Sequence, residues 1–324
     1  MSLPDAGVDR DALQRFLPAG VVGEIRTLTP IRLGLSGAGV YAVTTETGEY
    51  VLRIQGLGAD DSFWTQHLLI LRRAAAIEVA PPVVYVDEEA RAIVSTRIRG
   101  VPLPTVLADP AVRDTAIADV VTRLRALHTI DPTNIAERNA VEFARSVWET
   151  QRQREGFPPW AAHLRSAFDE LAALLARDAR RVVSHNDVNP GNVLWDGART
   201  WLVDWEVAGL GHPYYDLAAF VTFLGLDAER ANGLLELQEE QKLTAEAFAT
   251  LATMRQLVAL AIGNVFLSLT PDLGATIPPT RDEAPTLAEV RAGMRSGEVD
   301  LQTRQGQIML GLAFLRIATE WTGR

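Results

Sequence analysis

The sequence predicts a large α+β fold in two lobes, and three observations lead to this prediction. The chain has 324 residues, which is too long for one small domain, and its 48% hydrophobic content can bury a large core. Its first hundred residues read as short strands around one long helix. The residues after Gly100 read as helices with apolar side chains at 3.6-residue spacing. We therefore predict a β-rich lobe over residues 1–99 and a helical lobe over residues 100–324.

The elements of the first lobe follow from short apolar runs separated by turn residues. After a short opening helix over residues 9–17, the predicted strands are residues 31–35, 40–44, 50–54, 83–86 and 92–98. The long helix covers residues 63–76 and ends before Pro81-Pro82. In the second lobe, helices are predicted over residues 114–128, 138–153, 161–175, 215–224, 227–241, 245–269 and 301–321.

Composition and charge exclude several classes of function. The net charge of −10 and the pI of about 5.1 argue against a nucleic-acid partner, which a basic face would bind, and suit a cationic substrate. Cysteine is absent, so disulfides and thiolate chemistry are excluded. The N-terminus lacks the apolar core of a signal peptide, and the longest apolar run, Leu257–Ile262, is short. We expect a soluble cytoplasmic protein without a membrane partner, and the oligomeric state stays open.

The most informative stretch of the chain is residues 183–218, which contains a predicted β-hairpin. Residues 193–195 and 201–203 are short apolar strands on either side of the turn signal Asp196-Gly197. If residues 197–199 form the turn, Asn192 faces Asp204 at the open end of the hairpin. Opposed Cα atoms then lie about 4.5–5.5 Å apart. Two oxygen ligands at this distance suit a hard cation that also holds substrate phosphates.

A further acid, Asp187, lies in the loop just before this hairpin. Asn, Asp, Pro and Gly in a loop usually indicate only a turn. Here, however, the spacing of Asp187, Asn192 and Asp204 provides two metal ligands and a spare carboxylate for a substrate hydroxyl. The pattern as a whole therefore predicts phosphoryl transfer to a small molecule.

Two motifs in this stretch resemble those of a known superfamily. They are His185-x-Asp187-x-x-x-x-Asn192 and Asp204-Trp205-Glu206. They resemble the catalytic loop and the metal-binding segment of the aminoglycoside phosphotransferase and choline kinase superfamily, a relative of the protein kinases. Together with Tyr215-Asp216-Leu217-Ala218, they are most similar to choline/ethanolamine and thiamine kinases. The resemblance extends from about residue 33 to about residue 223.

The resemblance implies a protein-kinase-like bilobal fold and an ATP-dependent phosphotransferase with an alcohol group as acceptor. The first lobe would then bind the nucleotide, and the helical lobe would contain the catalytic loop and the substrate site. In that reading Asp187 is the catalytic residue, Asn192 and Asp204 hold Mg²⁺, and His185 steadies the loop. Asp216 either anchors the loop through hydrogen bonds or contacts the substrate. Glu206 is open between supporting the metal and binding the substrate.

The glycine segment Gly34-x-x-Gly37-x-Gly39 is followed by a strand rather than a helix. It is therefore neither a dinucleotide fingerprint, which needs a helix there, nor a Walker motif, which needs Gly-Lys-Ser/Thr. A glycine loop between strands is the kinase arrangement, although it also occurs in ordinary hairpin turns. The backbone of Ser36, Gly37, Ala38 and Gly39 is predicted to hold ATP phosphates.

Arg53 lies in the apolar strand Val51-Leu52-Arg53-Ile54 and is predicted to bind an ATP phosphate. The alternative is an edge strand from which Arg53 points to solvent. In protein kinases a lysine at this place pairs with a helix glutamate, but the helix here has no glutamate, and Gln66 or His67 falls nearest that position. By resemblance, the backbone of Thr96, Arg97 and Ile98 is the hinge that meets adenine.

The substrate is predicted from weaker signals. A quaternary ammonium would favour aromatic faces, although aromatic residues are usually core. The aromatic residues near or after the motif are Trp205, Tyr214, Tyr215, Phe220, Phe223, Phe266 and Trp321. The acidic residues that suit a cation are Glu236, Glu239, Glu240, Asp272, Asp282 and Glu283.

The sequence thus predicts a kinase for a small, cationic, choline- or ethanolamine-like substrate. Thiamine, an aminoglycoside or another amino sugar are alternative acceptors. A catalytically inactive, nucleotide-binding pseudokinase is a further alternative, because the helix glutamate is missing.

Overall fold

The computed structural model describes residues 13–31, 39–55, 61–162, 164–273 and 277–320. These residues form a mixed α+β architecture with sheet in the N-terminal region and helices in the C-terminal region. The strands are β1 (Ile25–Pro30), β2 (Gly39–Thr45), β3 (Glu49–Ile54), β4 (Val83–Asp87), β5 (Ala92–Thr96), β6 (Val101–Pro102), β7 (Val182–Ser184), β8 (Val193–Trp195), β9 (Thr200–Leu202) and β10 (Gly209–Gly211).

The helices are mostly those that the apolar periodicity predicts. They are α1 (Ala19–Val22), α2 (Asp61–Ala76), α3 (Leu103–Val106), α4 (Arg113–Leu127), α5 (Ala140–Gln151), α6 (Arg165–Leu175), α7 (Tyr215–Phe223), α8 (Ala228–Glu239), α9 (Ala245–Ser268), α10 (Leu287–Ser296) and α11 (Arg304–Glu320). Two 3₁₀ turns, Pro159–Ala161 and Pro190–Asn192, lie between them. Helix α10 is not predicted, because its sequence LAEVRAGMRS is short and polar and contains Gly293.

The chain divides into two compact units. The first is Met1–Ala136 with Gly191–Gly209, and the second is Glu137–Pro190 with Leu210–Arg324. The lobe boundary at residue 99 stays a prediction, and this division falls elsewhere. The reason is that β6 pairs with β8 in the first unit, which also contains α4 and the hairpin of β8 and β9.

The first unit is built on a five-stranded antiparallel sheet in the order β1-β2-β3-β5-β4. The buried side chains of its strands include Val43, Leu52 and Val94, which pack with Phe16 and Leu17. The sheet begins at β1 rather than at the predicted strand over residues 31–35, of which residues 32–35 lie outside the described residues. The run IRTLTP is rich in threonine and only weakly apolar, so its strand character is hidden in the sequence.

The hairpin of β8 and β9 forms, but its register differs by one residue from the prediction. Leu194 pairs with Trp201 and Trp195 with Thr200, so the turn contains only Gly197 and Ala198. The Asp196 carboxylate determines this turn, because its Oδ1 accepts hydrogen bonds from the backbone N–H groups of Ala198 and Arg199, both at 2.9 Å. The predicted pairing of Asn192 with Asp204 is therefore wrong, and Val203 lies opposite Asn192.

Helix α9 is the central helix of the second unit and packs against α5, α7 and α11. By length and composition it could cross a membrane, yet 56% of its most apolar window is buried against the rest of the protein. Its buried residues include the polar Arg255 and Asn264. Around it, the Trp148 ring packs on Phe168, and the Phe223 ring packs edge-on against Phe314. These contacts are those of a core helix.

The proline-rich segment after α9 is tied down where the structure describes it. Arg154 Nη2 donates to the Thr270 carbonyl at 2.6 Å, and Trp160 Nε1 donates to the Pro278 carbonyl at 3.1 Å. Arg316 Nη1 donates to the Asp282 carbonyl at 3.1 Å. Such anchored backbone fits a structural connection better than a moving lid.

Asp119 of α4 fixes the hairpin to the first unit, which leads to a first prediction. Its Oδ2 accepts hydrogen bonds from Thr200 N at 2.6 Å and from Thr200 Oγ1 at 2.7 Å, and Thr200 is fully buried. Asp119→Ala leaves both donors unpaired, so we expect a loss of about 1–3 kcal/mol in the free energy of unfolding. Urea denaturation measures this loss, with Thr115→Ala on the exposed face of α4 as the control. Equal stability of the two variants would contradict this role of Asp119.

Candidate active site

The open end of the hairpin places the two predicted metal ligands in the first unit. Val203 N donates to the Asn192 carbonyl at 3.0 Å, which closes the last pair of the hairpin. Asp204 follows with a φ of 66°, in the left-handed region that few residues other than glycine adopt. Backbone strain of this kind costs about 1–3 kcal/mol and concentrates at functional sites. It turns the chain away from the strand at Asp204.

Arg53 makes the central charged contact of the first unit. It lies in β3 between β2 and β5, opposite Val40 and Ile93, so the edge-strand alternative is wrong. Its Nη2 lies 3.2 Å from Asp204 Oδ1 and also forms an ion pair with Glu206 Oε1. The side chains of Arg53, Asp204 and Glu206 are 18%, 29% and 21% exposed. A guanidinium in such partial burial favours anionic partners.

The position of the missing helix glutamate is filled by neutral groups. His67 of α2 is 3% exposed, and burial, followed by the positive charge of Arg53, lowers its pKa to about 4. The neighbouring Gln66 accepts a hydrogen bond from Ala136 N at 3.1 Å. Neither residue therefore offers Arg53 a carboxylate, and the charge partners of Arg53 come from the segment after β9 instead.

The chemistry of the donor set fits a hard divalent cation. Asn192 and Asp204 offer an amide oxygen and a carboxylate, the oxygen donors that such ions prefer. Within the described ranges, no group of three or more His, Asp or Glu side chains is arranged to hold a metal. Two protein ligands suit an ion that takes further oxygens from nucleotide phosphates and water.

Of the predicted phosphate loop, Ser36, Gly37 and Ala38 lie outside the described residues. Gly39 begins β2 opposite Ile54, and the next residue, Val40, faces Arg53. The end of the glycine segment is thus adjacent to the strand position of Arg53. This register is compatible with one phosphate group meeting both.

Two of the three backbone N–H groups of the predicted hinge are already hydrogen-bonded. Thr96 N donates to the Pro82 carbonyl and Arg97 N to the Glu49 carbonyl, both at 2.9 Å. Among the described residues, no carbonyl accepts a hydrogen bond from Ile98 N. If adenine binds here, Ile98 is therefore the N–H donor that the hinge can offer.

Asp187 lies in the second unit, in a loop that hydrogen bonds shape closely. Its Oδ1 accepts a hydrogen bond from Asn189 Nδ2 at 3.0 Å, and its backbone N donates to His185 Nδ1 at 3.3 Å. His185 is fully buried and Asp187 is half-buried. His185 therefore holds the loop, as predicted, and Asn189 is a contact of Asp187 that the sequence analysis missed.

Asp216 anchors the same loop. Its Oδ2 accepts from His185 N at 2.7 Å and its Oδ1 from Asn186 N at 2.8 Å. Asn186 has a φ of 63°, which brings both N–H groups toward one carboxylate. Asp216 is fully buried, so the anchoring interpretation is confirmed over direct contact with a substrate. Burial raises the pKa of Asp216 to about 6, although these two N–H donors act in the opposite direction.

Most aromatic residues that could face a cation belong to the core. Trp205, Tyr214, Tyr215 and Phe220 are buried, and the Arg180 guanidinium covers the ring of Tyr214. Burial, with the nearby charges of Asp216 and Asp187, raises the pKa of Tyr215. Trp321 lies outside the described residues. Phe223 and Phe266 are half-buried.

The acidic residues of the second unit mostly have partners. Glu236 pairs with Lys242, Glu239 with Arg180, and Asp272 with Arg304. Asp282 pairs with Arg281, and Glu283 accepts a hydrogen bond from Thr280. Their charges are thus compensated locally, so they support a cationic substrate less than their number in the sequence suggests.

A comparison with family models decides the family. The model of the phosphotransferase enzyme family matches residues 27–257, which is more than half of the chain. The chain belongs to this family. The predicted resemblance is therefore confirmed, and with it the assignment of the chain as a phosphotransferase.

The proteins that this phosphotransferase resembles are named for several different substrates. Protein LicA of Haemophilus influenzae is 40% identical over 52 residues, which are 16% of this chain and 20% of that relative. A choline/ethanolamine kinase family protein from Mesorhizobium loti has a TM-score of 0.64 at 18% identity, with 94% and 97% of the two chains covered. A thermostable mutant of aminoglycoside phosphotransferase APH(4)-Ia, in complex with AMP-PNP and hygromycin B, has a TM-score of 0.61 at 18% identity, with 98% and 99% covered. The structural similarities establish the protein-kinase-like fold class.

The buried Asp216 predicts a particular pH dependence. Its pKa is raised above the ordinary value of 3.8 to about 6, so its contribution to stability is complete below pH 3.8 and is lost as the pH rises through 6. Asp216→Asn removes this titration. Between about pH 5 and about pH 7.5, we expect the wild-type protein to lose about 1 kcal/mol of unfolding free energy more than the variant.

Urea titrations at several pH values measure this difference. Asp169→Asn, which changes an exposed carboxylate of α6, is the control and should titrate in parallel with the wild-type protein. A constant difference between the wild-type protein and Asp216→Asn across this range would show that Asp216 titrates normally.

Proposed function

We propose that this phosphotransferase transfers the γ-phosphoryl group of ATP to a hydroxyl group of a small, cationic, choline- or ethanolamine-like molecule. The observation that carries the proposal is the Asp187 loop, in which a buried carboxylate holds two successive backbone N–H groups and thereby fixes a half-buried Asp187. A carboxylate held in this way can accept a hydrogen bond from an acceptor hydroxyl, orient it, and take its proton late in the transfer.

The residues of the first unit support the nucleotide half of the reaction. Arg53 would bind ATP phosphates through its planar guanidinium, with the backbone of residues 36–39 closing over them. Ile98 N would donate to adenine, with Thr96 and Arg97 shaping the hinge. Asn192 and Asp204 would hold Mg²⁺, which when bound neutralises charge on the phosphates. Asp204 would exchange its contact with Arg53 for the ion.

The acceptor class rests on separate observations. The fold similarity to a choline/ethanolamine kinase family protein supports a choline-like acceptor. A quaternary ammonium could contact Phe223 and Phe266, which are half-buried rather than fully buried. A second candidate is an aminoglycoside, favoured by the coverage of 98% of this chain in the match to the hygromycin B complex.

The pseudokinase alternative is less consistent with the site. The missing helix glutamate favours it, but Arg53 has carboxylate partners all the same. The strained backbone at Asp204 and the anchored Asp187 loop are also features that a protein without turnover would not need.

An assay of ADP release with Mg-ATP tests the proposal against choline, ethanolamine, thiamine, amino sugars and aminoglycosides. We expect strong stimulation by choline or ethanolamine and little by the others. Stimulation by an aminoglycoside alone would replace the substrate class, and ATP binding without turnover for any acceptor would favour a pseudokinase.

With the preferred acceptor, Asp187→Asn should lower kcat by at least ~100-fold, because it removes the proton acceptor. Asp187→Ala and Asp204→Ala should each abolish turnover. Asp169→Asn, an exposed carboxylate in the same unit as Asp187, should keep the wild-type rate. Near-native kcat in a variant of Asp187 or Asp204 would remove that residue from the mechanism.

A further inference from the structure

We propose that Glu206 is the positioning residue for Arg53 and that it takes the place of the helix glutamate that this chain lacks. The inference rests on the proposed function, in which Arg53 binds the phosphates of ATP. It assigns Glu206 neither to the metal nor to the acceptor.

The contacts of Arg53 are the first argument. One nitrogen, Nη2, contacts Oε1 of Glu206 and lies 3.2 Å from Oδ1 of Asp204. Two acids thus share one guanidinium nitrogen in a region where all three side chains are at most 29% exposed. In partial burial, a charged group is stable only with a partner, and an Arg–carboxylate pair also fixes the plane of the guanidinium.

The helix supplies no competing acid. At the place where a helix carboxylate would meet Arg53, α2 presents His67, whose ring is 3% exposed and packs edge-on against Trp64. The adjacent Gln66 is bonded to the backbone at Ala136. A neutral imidazole cannot balance a guanidinium, so the pairing function has moved to another element of the same unit.

Of the two acids, Glu206 is the one that can remain on Arg53 during turnover. Asp204 is the proposed ligand of the divalent ion and would exchange its contact with Arg53 for the ion. Glu206 lies two residues further along, and its longer side chain reaches the same guanidinium nitrogen. Glu206 can therefore fix the orientation of the Arg53 guanidinium and balance its charge while the other guanidinium nitrogens bind phosphate.

A double-mutant cycle in the nucleotide-free protein tests the pairing without any activity. The variants are Arg53→Met, Glu206→Gln and their combination, and urea denaturation gives the unfolding equilibrium constants. We expect the two changes to be non-additive by at least about fivefold in this constant. Arg26→Met changes an arginine that is 65% exposed, and it should be additive with Glu206→Gln. Additivity of Arg53→Met and Glu206→Gln would overturn the proposal.

Relocation of the carboxylate tests the positioning role. Glu206→Gln should lower kcat by at least about tenfold with a smaller change in KM for ATP, because losing a negative charge beside the phosphates does not weaken their attraction to Arg53. Installing His67→Glu in the Glu206→Gln protein should restore kcat several-fold. Glu206→Asp, which keeps the charge, should fall between the wild-type protein and Glu206→Gln.

The outcomes separate this inference from the proposed function. A metal ligand or an acceptor-binding acid at position 206 would not be replaced by a carboxylate on α2, so failure of the rescue overturns the positioning role. If the wild-type protein phosphorylates no acceptor, the proposed function and the positioning role both fail. Non-additivity of Arg53→Met and Glu206→Gln in the nucleotide-free protein would still establish the Arg53–Glu206 ion pair. Coupling together with rescue supports the proposal.

Discussion

One guanidinium shared by two carboxylates is the interaction on which the nucleotide half of the proposed site depends. Arg53 is held in the middle of a sheet, and Asp204 and Glu206 reach it from the segment after β9. This contact joins the sheet to the hairpin that presents the proposed metal ligands. Because a half-buried arginine costs free energy without an anion, the two carboxylates stabilise Arg53 at the place where the proposed function has it bind phosphate.

The second constraint is the fully buried Asp216. Its carboxylate satisfies two successive backbone N–H groups, and a left-handed Asn186 allows both to reach it. The cost of burying this acid is visible in its raised pKa. The Asp187 loop is thus positioned by backbone hydrogen bonds to Asp216, and Asp187 itself is hydrogen-bonded to Asn189 and His185 of the same loop.

The α+β fold class and the identity of the site segment could be predicted from the sequence, because apolar periodicity and residue spacing are local signals. The hairpin register could not be predicted, because the sequence is equally compatible with a two-residue and a three-residue turn. The hydrogen bonds of the Asp196 side chain select the two-residue turn. The partner of Arg53 could not be predicted either. Arg53 and Glu206 are 153 residues apart in the sequence, and local sequence periodicity does not predict such a long-range contact. Strand β1 was missed because its polar threonines hide its alternation.

The most direct measurement is a crystal structure of the protein with AMP-PNP and Mg²⁺. We predict that Asn192 and Asp204 contact the ion, and that Arg53 contacts a phosphate group while it keeps its ion pair with Glu206. A structure in which Glu206 binds the ion and Arg53 is released from it would contradict the positioning role. A nucleotide bound away from Arg53 would contradict the site as a whole.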